Sequence, residues 1–136
     1  MNTSFLKIAA LSALFASSAS AASYTINLTG STAFRASTHA AIIANLTSPT
    51  YAYTDKASNG LNKATYVIFK GSVGADTYTV RCTWSGSVEG VIDTGHQNTL
   101  AALPTSQATT ASPGTALVNA SEASFATSTM VPDGGM

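Results

Sequence analysis

The chain has 136 residues, of which only 9% are charged, with six Lys plus Arg against six Asp plus Glu. This share lies well below the usual value of about 25%, and the absence of a basic run in the sequence argues against a nucleic acid or an anionic membrane surface as partner. The single cysteine, Cys82, excludes an internal disulfide, and its place in a strand-like run favours a small buried residue over a reactive thiol.

The first 21 residues have the pattern of a secretory signal peptide. Lys7 supplies the positive charge, residues 8–15 are apolar, and small residues at 19–21 suit cleavage. The apolar run is shorter than the roughly 20 residues that a membrane anchor needs. We therefore expect an exported protein, periplasmic or extracellular, whose mature part is a single domain over residues 22–136. Loss of Lys7 leaves that domain with five basic and six acidic residues.

The first candidate site is a turn between a predicted strand and a predicted helix. Residues 24–29 alternate apolar and polar side chains, which predicts a strand with one buried face. Gly30 ends the strand, Ser31 or Thr32 stands where an N-cap hydroxyl belongs, and apolar residues recur at helical spacing as far as Leu46. Such a turn gathers backbone N–H groups at a positive helix end and can hold an anion. The same arrangement also serves as a plain connection in many α/β proteins.

A second turn of the same kind follows the clearest predicted strand. Residues 47–63 have loop composition and residues 65–69 predict a buried strand. Residues 76–84 then alternate strictly and lead into Ser85, Gly86 and Ser87, where a helix is predicted to begin with Glu89 in its first turn. Two such turns at one end of a sheet can face one ligand.

The last third of the chain has weak periodicity. Residues 101–116 are rich in Ala, Thr, Ser, Pro and Gly and predict a loop. Residues 124–126 predict a short strand, residues 127–129 a third hydroxyl-rich turn, and residues 130–136 no closing element. This part of the domain is expected to contribute little core.

The order of these motifs resembles the first lobe of periplasmic phosphate-binding proteins, the substrate-binding components of phosphate ABC transporters. The resemblance rests on the turns at residues 30–35 and 85–90 and on the predicted strand end at residues 125–128, and it covers the leader and residues 23–129. It implies an α/β fold, a partial lobe of the periplasmic-binding-protein type with a mixed sheet and flanking helices. The chain is then expected to be a first lobe or a truncated product.

The same resemblance implies a function and a set of ligand-binding residues. The family captures phosphate between two lobes without a metal or cofactor and delivers it to a membrane transporter, so phosphate or a similar oxyanion and an inner-membrane ABC transporter are the expected partners. Thr129 falls where the family has an Asp that accepts from protonated phosphate. The matching ligand-binding positions are Ser31, Thr32, Ser85, Gly86, Ser87 and Ser128.

The two arginines are weaker candidates for the anion's charge. Arg35 lies one helical turn after Ser31 and Thr32, where it either shares their neighbourhood or is solvated. Arg81 falls in the polar set of its strand and is expected to face solvent.

Two other function classes compete with anion binding. An enzyme would recruit His39 or His96 with a serine and Asp93, but no Gly-x-Ser-x-Gly elbow accompanies them, and we expect no catalysis. A Ser/Thr-rich exported surface or structural protein with no small-molecule ligand is the main alternative. A helix after Gly30 would favour the binding lobe, and an extended segment there would favour the surface protein.

Overall fold

The computed structural model of the chain describes residues 20–55, 60–109, 115–118 and 128–136. Within these ranges the elements, in chain order, are β1 Ser23–Thr29, α1 Arg35–Asn45, β2 Thr47–Asp55, β3 Tyr66–Val73, β4 Asp76–Thr83, α2 Ser87–His96, β5 Leu100–Ala102, β6 Thr115–Val118, β7 Ser128–Met130 and β8 Gly134–Gly135, with short 3₁₀ turns at Leu61–Lys63 and Thr105–Thr109. The fold is mixed α/β, as the sequence predicts. The predicted leader as far as residue 19 and the predicted strand at 124–126 lie outside the described residues.

Six strands form one mixed sheet in the order β6-β2-β3-β4-β1-β8. β2, β3 and β4 are antiparallel neighbours, whereas β1 runs parallel to β4 over its whole length, from Ser23 opposite Thr77 to Thr29 opposite Thr83. β8 adds a short parallel edge beside Leu28 and Thr29. β5 and β7 form a separate antiparallel pair, the β5–β7 ribbon.

The main core lies between α1 and one face of the sheet. Alanines in α1 favour the helix, and its larger apolar side chains pack onto the strands. Ile42, Ile43 and Leu46 contact a buried cluster that comprises Ala64, Val67, Phe69, Val80, Cys82 and Trp84. Cys82 is buried as predicted, and burial raises the pKa of its thiol to about 12, so it is not a reactive thiolate.

The prediction of a loop at residues 47–63 is wrong for the first half of this segment, which forms strand β2. Pro49 lacks an N–H and disfavours a strand interior. The ladder between β2 and β3 is irregular between Thr47 and Thr50, where Pro49 sits, and regular pairing resumes at Thr50 opposite Lys70. The bulge accommodates the proline, and the tyrosines beyond it continue the strand.

The last third of the chain contains more strand than its composition predicts. The predicted loop at 101–116 includes part of β5 and the start of β6, and Ser128 and Thr129 lie in β7 instead of a turn. The segment after Met130 does supply a closing element, because β8 extends the main sheet beside β1. These strands are two to four residues long, too short for their alternation to stand out against Ala, Thr and Ser.

Candidate functional site

The topology brings the two predicted turns to one end of the sheet. The crossover from β1 through α1 leads to β2, on one side of β1, whereas the chain leaving β4 through α2 reaches β8, on the other side. β1, β2, β4 and β8 are all parallel, and crossovers between parallel strands are right-handed. α1 and α2 must therefore cover opposite faces. In open α/β sheets, ligands bind where such connections diverge, at the carboxyl ends of the strands; we call this position, between the two turns, the crevice.

The two turns are in direct contact at this position. The Ser87 hydroxyl donates to the Ser31 hydroxyl at 2.9 Å, and the Gly86 N–H donates to the Gly30 carbonyl at 3.0 Å. Ser31 is 4% exposed, whereas Ser87 is exposed. A Cβ on Gly90 would overlap the Gly30 main chain, so only glycine allows α2 to approach this closely. The two predicted turns thus form one structural unit.

The first turn uses most of its backbone donors within the protein. The Ser31 N–H donates to the Met136 main-chain oxygen at 2.6 Å, the Ala33 N–H to the Ser31 hydroxyl at 3.2 Å, and the Phe34 N–H to the Ser31 carbonyl at 3.2 Å. The prediction of a Ser31 or Thr32 N-cap is wrong: α1 begins after Phe34, with no side-chain cap. Residues 31–34, which precede the helix, form a turn that is held by the hydrogen bonds to the Ser31 carbonyl and hydroxyl. Thr32 lies exposed in that turn.

The second turn leaves its donors more accessible. α2 starts at Ser87 as predicted, no side chain caps it, and its first intrahelical bond runs from the Gly90 N–H to the Gly86 carbonyl at 2.8 Å. The N–H groups of Ser87, Val88 and Glu89 precede that bond in the first turn. Glu89 places a carboxylate there, which suits the helix dipole but repels a bound anion.

Ser85 is held by a buried polar cluster. Its hydroxyl donates to an Asp93 carboxylate oxygen at 3.2 Å and lies 3.0 Å from the Thr29 hydroxyl. Asp93 is 2% exposed, and its other oxygen accepts from the Asn98 amide at 3.0 Å. Neither Asp93 nor Ser85 bonds to a histidine among the described residues. This cluster fixes the second turn relative to β1.

Ser128 lies apart from these contacts. Its hydroxyl accepts from the Arg81 Nη2 at 2.8 Å, and the Arg81 Nε donates to the Leu103 carbonyl at 3.1 Å. The expectation that Arg81 faces solvent is wrong, because the β5–β7 ribbon and Leu103 cover it and leave it 7% exposed. Arg35 donates to the carbonyls of Asn62 and Ala64, so its side chain is directed to the 3₁₀ turn at Leu61–Lys63.

His39 links α1 to the second turn. It lies in α1, as predicted, and is fully buried, and its Nε2 accepts from the Trp84 indole N–H at 2.9 Å. Burial, and secondarily the charge of Arg35, lower its pKa to about 4, while the Leu61 backbone opposes the shift. A neutral imidazole is therefore built into the core. Trp84 directly precedes Ser85, so this bond anchors the base of the second turn.

Other candidate features of the described residues lie elsewhere or are not found. A shallow cavity of about 300 Å³ between α2 and β8 is lined by Val91, Thr94, Gly95 and Gly135, and none of the six predicted ligand-binding residues lines it. In the described ranges, His, Cys, Asp and Glu side chains do not gather in groups of three that could hold a metal. None of the helices described there is long and apolar enough to cross a membrane.

Comparison with known proteins adds no relative: the chain matches no known protein family, no curated protein and no solved structure at a significant level.

Proposed function

We propose that this protein is an exported, non-enzymatic solute-binding protein that captures phosphate, or an oxyanion of similar size, between the turn that precedes α1 and the first turn of α2. The observation that carries the proposal is the position of these turns. They follow adjacent parallel strands whose crossovers diverge to opposite faces, and they meet through Ser31 and Ser87 at the carboxyl ends of those strands.

The chemistry of the crevice supports an anion. Helix N-termini present backbone N–H groups and a positive dipole end, and the accessible donors here belong to α2. The exposed hydroxyls of Ser87 and Thr32 add neutral donors, while Ser31, Ser85 and Gly86 hold the two turns in register. Neutral donors suit an oxyanion that must be released again. By the family resemblance, release would be to an inner-membrane ABC transporter.

A specific observation also favours the alternative, an exported surface protein without a small-molecule ligand. Val88, Val91 and Ile92 form an exposed apolar face on α2, as expected of a protein contact. The helix after Gly30 favours the binding protein, because the surface-protein hypothesis requires an extended segment there. We therefore retain anion binding as the proposed function.

Thermal unfolding of the purified protein with phosphate, sulfate and chloride tests the proposal. Phosphate at 100 times its dissociation constant adds about 2.7 kcal/mol, and each kcal/mol raises Tm by roughly 4–8 °C for a small domain. Ser87→Ala removes an exposed donor at the α2 turn and should weaken phosphate binding about tenfold. Ser37→Ala is the matched control, since that exposed α1 hydroxyl donates to the Phe34 carbonyl within its own helix turn.

The outcomes separate the two functions. Equal stabilisation by phosphate and sulfate identifies a general oxyanion site. A cooperative transition that responds to neither anion contradicts the proposal and favours the surface protein. Equal losses in Ser87→Ala and Ser37→Ala would place any binding outside the crevice.

A further inference from the structure

Arg81 is a buried cation to which none of the described residues offers a carboxylate. Its guanidinium makes two hydrogen bonds, both to neutral oxygens, the Leu103 carbonyl and the Ser128 hydroxyl. Across the described residues the structure contains no ion pair for Arg81, and no bond to its Nη1 is present there. A guanidinium has five N–H donors, so most of its bonding capacity is unused.

Burial makes this arrangement costly. Arg81 is 7% exposed, and desolvation lowers its pKa from the ordinary value of arginine. Buried charges in proteins are normally paired, because two neutral acceptors do not replace the water that a cation loses. An anion bound at the guanidinium would supply the missing charge.

The neighbouring strand carries a second unsatisfied polar group on the same side. Asn27 of β1 is the register partner of Arg81 in β4, so the two side chains leave the sheet on the same face. The Asn27 Oδ1 is buried, and none of the described residues forms a hydrogen bond with it. Since a carboxamide can present either its oxygen or its NH₂ group at a given position, Asn27 can accept from a protonated ligand or donate to an ionised one.

We propose that Arg81, Ser128 and Asn27 form a binding site for a small oxyanion, on the sheet face opposite α1 and distinct from the crevice. The planar guanidinium fork binds two oxygens of a carboxylate or phosphate in parallel. The Ser128 hydroxyl accepts from Arg81, and its own proton, which makes only a long contact of 3.5 Å to the Thr129 carbonyl, can turn to the same ligand. This site goes beyond the proposed function, because its residues share no hydrogen bond with Ser31 or Ser87 in the structure.

The chain offers a direct readout, because Arg35 and Arg81 are its only arginines. In protein labelled with ¹⁵N-arginine, the two Nε–H signals are assigned with Arg35→Lys and followed by NMR while inorganic phosphate, and separately formate, is added. The Arg81 signal should shift and saturate, and the Arg35 signal should stay in place. Ser128→Ala should weaken the response about tenfold. Thr129→Ala, an exposed hydroxyl in the same strand, should leave it unchanged.

Three results would overturn the site. The first is an Arg81 signal that stays in place with both anions, and the second is an equal response of Ser128→Ala and Thr129→Ala. The third is a signal that responds only in Glu122→Gln, because this variant removes the one carboxylate outside the described ranges and the result would show an internal ion pair. Ser87→Ala distinguishes the two proposals, because it should weaken crevice binding about tenfold and leave the Arg81 response unchanged.

Discussion

The two strand-to-helix turns share a sequence pattern and differ in what they leave accessible. Both follow parallel strands, and both contain glycine and serine before a helix. In the first turn, the backbone donors are used within the protein. The Ser31 N–H donates to Met136, and the Ala33 and Phe34 N–H groups donate to Ser31. In the second turn, the helix begins directly after Gly86, and no side chain caps its first N–H groups.

The difference teaches that a Gly-Ser turn is not equivalent to an anion site. The first turn is a support: its serine is buried and accepts from Ser87 and Ala33. The second turn carries the open helix end, and it is held in place by contacts to Gly30 and Asp93. If the crevice binds an oxyanion, we expect most of the affinity to come from α2.

The largest expected effect concerns the bond from Trp84 to His39, which ties α1 to the second turn. Because the pKa of His39 is lowered to about 4 in the folded protein, the unfolded chain takes up a proton first as pH falls below about 6.5. The free energy of unfolding should be constant above pH 6.5 and fall by about 3 kcal/mol between pH 6.5 and 4.

Urea unfolding at a series of pH values measures this dependence. His39→Gln should be less stable at neutral pH and lack this part of the acid loss. His96→Gln, at the exposed end of α2, should retain the wild-type profile. Parallel profiles for wild type and His39→Gln would contradict the assignment of a neutral buried imidazole.

The next effect tests the contact between the turns. Gly→Ala in a helix interior normally stabilises by up to about 1 kcal/mol, and Gly95→Ala should do so, because the added Cβ meets no atom within 4 Å. Gly90→Ala in the same helix should instead cost about 2 kcal/mol, since its Cβ overlaps the main chain of Gly30. Denaturant unfolding of both variants is the measurement, and equal effects would show that the turns are not packed together.

The smallest expected effect comes from the charge of Glu89, and it tests whether the anion binds at the first turn of α2. Glu89→Gln removes a negative charge from the first turn of α2, so phosphate affinity measured by calorimetry should rise about two- to fivefold, while stability falls by about 0.5 kcal/mol. Asp76→Asn removes the same charge at the other end of β4, where the carboxylate accepts from the Ala22 N–H. An equal gain in both variants would indicate a general charge effect and not a site at α2.

Long, strictly alternating segments could be predicted from the sequence, and short ones could not. β1, β4 and the start of α2 follow from residues 24–29, 76–84 and 85–89, because a period of two over six or more residues has few alternative explanations. β2 was hidden by Pro49, whose bulge depends on pairing with β3. The pairing of β8 with β1 is equally a long-range contact, and two glycines carry no local signal for it.

The sequence predicts that the two turns lie together, but it does not predict which of their N–H groups are already bonded within the protein. That Ser31 and Ser87 share one crevice follows from parallel strands. The hydrogen bond from the Ser31 N–H to Met136 could not be predicted, because 105 residues separate the two positions in the chain. Arg81 was misjudged for a related reason: its strand face is polar in sequence, and the β5–β7 ribbon that covers it has no apolar pattern of its own.

The single tryptophan makes the crevice observable by optical spectroscopy. Trp84 is 3% exposed, donates to His39 and directly precedes Ser85. Its emission therefore comes from one known environment, one residue from the proposed binding turn, and a change at Ser85 or in the charge of His39 alters that environment without any attached dye. Fluorescence titration of the unmodified protein can then follow the acid transition at His39 and anion binding at α2 in a single sample.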